Sequence, residues 1–159
     1  MAKKDLKWFM RENKPEIITV KGPETIKDGD GNVIDLEIKV LSQEEITRIN
    51  DAYKKRTIAT DKKGQPYISG GEVVFKTERD SAKATRHIIV EALQYPDLKD
   101  EELMKYYNCF DITEMPLKVF PKPEEFAHVS RVVFAALGIG TFTDEDEERT
   151  ESDITEAKN

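Results

Sequence analysis

One cysteine, Cys109, and two histidines, His87 and His128, are the residues from which this 159-residue chain could build a nucleophile and its base. Such a pair needs a hydrogen-bonded geometry that the spacing does not specify. Both histidines also fall on helical stretches beside apolar stripes, where surface or hydrogen-bonded core histidines are the ordinary outcome. Asp28, Asp30 and Asn32 match the first three ligand positions of a calcium-binding loop, but Val33 stands where glycine is required and Lys39 where the bidentate glutamate belongs. That segment therefore reads as a hairpin turn. Gly70-Gly71 lacks the Gly-Lys-Ser or Gly-Lys-Thr that would hold a phosphate and magnesium. Two histidines and one cysteine cannot supply the usual structural zinc site, and one cysteine excludes an internal disulfide. The basic cluster Lys54-Lys55-Arg56 with Lys62-Lys63 has no aromatic interleaving and sits in an acidic chain, so nucleic-acid binding is not expected. The carboxylates are scattered among lysines at the spacing of solvated helix faces, and no general acid/base pair stands out. The expectation is a protein with no enzymatic site, metal or cofactor.

The elements that must carry these residues fit one domain, with charged residues at 36% and hydrophobic ones at 38%. No apolar run approaches the ~20 residues of a membrane-spanning helix, and the N-terminal Met-Ala-Lys-Lys-Asp-Leu-Lys-Trp is not followed by a signal-peptide core, so a cytoplasmic protein is expected. The net charge of -7 is unevenly placed, because residues 144–159 hold eight acids against Arg149 and Lys158, a net of -6. Ile154 is the sole sizeable apolar residue there, so the expectation is a disordered acidic tail at 144–159 following a nearly neutral domain at 1–143. Such a tail solubilises, screens a sticky surface or meets a basic partner.

Along the domain, Asp5 to Asn13 reads as a short helix ended by Lys14-Pro15. Trp8, Phe9 and Met10, adjacent in sequence, project around its whole circumference, so that at least one is exposed, as for a contact with another protein, unless the body folds over them; packing of all three on the domain is the ordinary outcome for apolar groups on a helix. Ile34, Leu36, Ile38 and Val40 alternate with charged residues as in a half-buried strand. Its expected hairpin partner is Thr25-Ile26-Lys27 across Asp28 to Asn32, with Ile17 to Val20 as a candidate third strand. Ser42-Gln43-Glu44-Glu45 is a capping box opening a helix striped by Ile46, Ile49 and Tyr53, whose C-terminal end is expected to carry Lys54, Lys55 and Arg56. Residues 57 to 72 read as a loop. Thr85, Ile88, Ile89, Ala92 and Leu93 mark one face of a central helix that must stop before Pro96, and Asp100 caps a short restart. Ile112 to Lys122 reads as irregular or briefly helical. Pro123 opens a last helix buried along Phe126, Val129, Val133, Phe134 and Leu137 and ended at Gly138 or Gly140. The fold class expected is α+β, predominantly helical, with a small N-terminal antiparallel β-hairpin.

The order of these segments resembles the XkdN-like tail assembly chaperones of phages and prophages of Gram-positive bacteria. The resemblance is carried by Phe9, Asn13-Lys14, Lys27 to Asn32, Leu36 to Lys39, Leu41-Ser42 with Glu44-Glu45, Ile89 to Leu93, Pro96-Asp97-Leu98, Glu102-Leu103 and Tyr107, and it covers residues 5 to 143. It implies a non-enzymatic, non-structural protein of the host cytoplasm, absent from the mature virion. Such a protein coats the helical tape measure protein, keeps it soluble and recruits tail tube subunits. Self-association along that partner would add avidity to weak helix-in-groove contacts. Trp8, Phe9 and Met10 are the candidate partner-binding residues. The reading from another class is an acidic adaptor or inhibitor of a host protein, for which a concentrated acidic face is expected and against which the nearly neutral body argues.

Overall fold

The structure, a computed structural model, describes residues 3–140; the acidic stretch 144–159 lies outside them. The described residues form an α+β fold of five helices and three small antiparallel sheets. Strand β1 (Ile17–Lys21) pairs antiparallel with β2 (Asp35–Lys39), from Ile17 opposite Lys39 to Lys21 opposite Asp35. The anticipated alternation in β2 is realised, since Leu36 and Ile38 are buried while Asp35 and Glu37 face outward. The main partner of β2 is thus Ile17–Lys21, and Thr25 to Lys27 contribute one isolated bridge, Lys27 to Val33. The physical reason is that the chain leaves the ladder at Gly22, whose amide still donates to the Ile34 carbonyl at 3.0 Å, and re-enters it only at the turn. A third strand, absent from the sequence reading, is β7 (Leu93–Tyr95), which pairs with the other edge of β2 directly after the central helix.

Helix α1 (Gln43–Ala52) opens as expected: the Ser42 hydroxyl accepts the Glu45 amide and Glu45 accepts the Ser42 amide, each at 3.2 Å. It ends one residue before the basic cluster. Lys54, Lys55 and Arg56 do not prolong the helix but begin β3 (Lys54–Ile58), which pairs with β6 (Phe75–Arg79). Between them β4 (Ile68–Ser69) pairs with β5 (Glu72–Val73), so the stretch expected as a loop is a β-ribbon from 54 to 79.

Two loops of the fold, at residues 28–32 and 61–65, have one construction. Asp28 and Asp61 each accept two amides through Oδ1, from Asp30 and Asn32 and from Lys63 and Gln65, and Gly31 and Gly64 supply the positive φ that closes the loop. The pattern Asp-x-x-Gly followed by an amide side chain was legible in both places, and its second copy was the signal for the ribbon.

Helix α2 (Ser81–Ala92) is the centre of the core. It is capped by Asp80, and Ile88, Ile89 and Ala92 are buried as the periodicity required. Val90, off that stripe, is also fully buried, because α1, the β2–β7 edge and the later helices at 115–119 and 123–137 surround it. Asp100 caps α3 (Glu101–Tyr106) by accepting the Leu103 amide at 3.1 Å. A 3-10 turn at Ile112–Glu114 leads into α4 (Met115–Val119), whose Met115 and Pro116 are buried. Helix α5 (Pro123–Leu137) buries Val129, Val133 and Phe134 and ends at Gly138 in the left-handed conformation, φ 73°. Among the described residues no helix is long and apolar enough to cross a membrane.

Candidate partner-binding surfaces

The N-terminal segment departs from the helix expected at Asp5 to Asn13. It forms a single 3-10 turn, Leu6–Phe9, whose Lys7 amide donates to the Asp5 carboxylate at 2.9 Å and which buries no residue. Without a packed face, a short helix does not offset its own nucleation. Trp8, Phe9 and Met10 are 71%, 82% and 77% exposed, and Leu6 joins them at the surface. All three candidate residues therefore stand in solvent, where large apolar groups grouped together mark a contact surface. Two further groups were missed by the sequence reading. Tyr106 and Phe110 are exposed at either side of the turn after α3, where Asn108 holds a positive φ of 49°. The ribbon exposes Ile58, Tyr67, Ile68, Val73 and Phe75, with the Arg56 guanidinium stacked 4.3 Å from the centre of the Phe75 ring.

The residues weighed for chemistry are placed apart. Cys109 is buried and donates through sulfur to the Asp111 carbonyl at 3.3 Å. His128 meets the Lys21 carbonyl at 2.9 Å and Arg131 at 3.1 Å, tying α5 to β1. His87 lines a pocket of about 420 Å³ with Leu41, Ile49 and Glu91. Its Nδ1 lies 2.7 Å from the Tyr53 hydroxyl, its Nε2 3.4 Å from Glu91, and Glu91 in turn meets Lys99 at 3.1 Å. Burial raises the Tyr53 pKa, reinforced by the negative charges of Asp111, Asp80 and Glu91 and opposed by Arg86. Tyr53 thus stays a phenol and shares a hydrogen bond with His87 Nδ1. The row joins the end of α1 to α2 and to the loop before α3, and it works as a brace. Asp111 is shifted the other way: the hydroxyl of Thr113 and then its amide stabilise the carboxylate and lower its pKa.

What fold and surface define is an α+β protein with small antiparallel sheets, distinguished by large apolar side chains held in solvent. The chain belongs to the phage XkdN-like tail assembly chaperone family, whose model matches residues 6–158 and so runs on into the acidic stretch. The family's role, chaperoning the assembly of phage tails, is non-enzymatic and exercised through protein partners. No curated protein matches the chain. Among solved structures, the crystal structure of the protein YqbN is similar, with a TM-score of 0.65 at 20% identity over 87% of this chain and 100% of that one. At that identity the likeness shows the fold.

Proposed function

We propose that this chaperone binds the tape measure protein, keeps it soluble while the tail is built and recruits tail tube subunits to it. It acts in the cytoplasm of the bacterial host, associates with further copies of itself along the partner, and is absent from the mature virion. The observation that carries this reading is the exposure of Leu6, Trp8, Phe9 and Met10 on a segment that buries none of its residues. An apolar cluster of this kind fits the apolar stripe of an amphipathic helix, the surface that a long helical partner presents before assembly. Many such weak contacts suit a partner that the growing tube must later take over.

The test is co-purification of the tagged chain from host cells expressing the neighbouring late genes, with bound proteins identified by mass spectrometry. Recovery of a long helical tape measure protein, with or without tube subunits, supports the proposal. Recovery of a host enzyme alone would sink it in favour of an adaptor or inhibitor.

A further inference from the structure

The two faces of the β3–β6 ribbon differ in charge. Residues directly opposite in an antiparallel pair share a face, so Lys54 with Arg79, Arg56 with Thr77 and Ile58 with Phe75 form one side. The other side carries Lys55 with Glu78 and Thr57 with Lys76, and there Lys76 pairs with Glu78 at 2.7 Å. The first side holds three cations and no acid. Lys54 meets Asp51 at 2.8 Å from the end of α1, while Arg56 and Arg79 have no carboxylate partner among the described residues.

The chain leaves its described part beside this face. Ile139 and Gly140 line the same cavity, about 390 Å³, as Arg79 at the ribbon's base. Asp144, the first of the eight acids, is four residues beyond Gly140, within a reach of up to about 14 Å. The five-residue strands give the face a length of about 17 Å. The 16 residues from 144 to 159 are long enough to cover that span, since a chain of that length reaches up to about 53 Å.

We propose that the face bearing Lys54, Arg56 and Arg79 is the docking surface of this chain's own acidic segment, 144–159, bound in cis. Tethering decides the source of the anion: a short linker gives an effective concentration on the order of millimolar, far above that of a second copy at micromolar protein. The contact is electrostatic and exposed, so salt weakens it steeply. Its consequence is a ribbon screened from other polyanions until a competing acidic surface displaces the segment.

The test uses the full chain with a nitroxide on Ser152→Cys, single labelling confirmed by mass because Cys109 is buried. At about 0.01 M salt the ribbon amides and those around the Arg79 cavity should lose most of their NMR intensity, and recover it at about 1 M. Arg56→Gln with Arg79→Gln should restore the signals at low salt, whereas Lys55→Gln with Lys76→Gln, equal in charge, should leave them broadened. Uniform broadening, or none, would overturn the proposal. So would broadening in a mixture of spin-labelled and isotope-labelled copies, which would make the contact intermolecular. The salt series is independent of whether any charge variant folds.

Discussion

The Thr25 hydroxyl donates to Glu125 Oε1 at 2.5 Å, joining two residues a hundred positions apart in the chain. The other Glu125 oxygen accepts the Lys122 amide at 3.4 Å, and the glutamate is buried. One carboxylate thus fixes the excursion between β1 and β2 to the first turn of α5, where a negative group is also favoured by the helix dipole.

Glu125→Ala should therefore cost about 1–3 kcal/mol, because the Thr25 hydroxyl and a helix-start amide both lose their hydrogen bond to a buried carboxylate. The midpoint of urea unfolding should fall with the m-value unchanged. An unchanged midpoint would show that the contact contributes nothing.

At Gly22 an added Cβ would meet the Ile34 carbonyl oxygen, a backbone atom that cannot swing aside. Gly22→Ala is expected to destabilise by about 1–3 kcal/mol, as overpacking does. Gly29→Ala meets nothing nearby and serves as the control in the same thermal melts.

Trp8→Ala, Phe9→Ala and Met10→Ala remove side chains that bury nothing in the described body, so each should change stability by less than about 0.5 kcal/mol. Combined, they should abolish recovery of the tape measure protein in the co-purification. Full recovery by the triple variant would move the contact elsewhere on the surface.

Asp111 gives a pH dependence with a defined sign. Its folded pKa lies below the ordinary 3.8 because Thr113 donates to the carboxylate. The stability it contributes is present above the unfolded pKa and lost as pH falls through the folded one. Asp111→Asn should thus be less stable than the parent at about pH 6, and the gap should narrow as pH falls below 3.8 and on through the folded pKa. Urea midpoints across that range measure it, and a gap independent of pH would refute the assignment.

For Tyr53 the sign is opposite. Its raised pKa means that the folded state favours the phenol, so its contribution is present below pH 10.0 and lost as pH rises through the folded value. Tyr53→Phe should flatten the alkaline limb of the stability curve, and an alkaline limb as steep as the parent's would count against the brace.

By itself the sequence determined the features set by local chemistry. The caps at Ser42 and Asp100, the stop before Pro96, the Pro123 start and the Gly138 end depend on side chains within four residues of the backbone groups they satisfy. The alternation of β2 and the stripe of α2 were legible for the same reason, since period reports burial. Tertiary structure alone decided the rest. Leu93–Tyr95 became a strand because β2 offered a free edge, and β2 took Ile17–Lys21 as its partner because Gly22 let the chain leave the ladder. Val90 was buried by neighbours contributed from the whole chain. The ribbon from 54 to 79 carries no burial period at all: nearly every residue in it is exposed, and only cross-strand pairing, invisible to a local window, holds it together. The same holds for its charge asymmetry, because the gathering of Arg56 and Arg79 on one face follows from the register of two strands separated by 16 residues of chain.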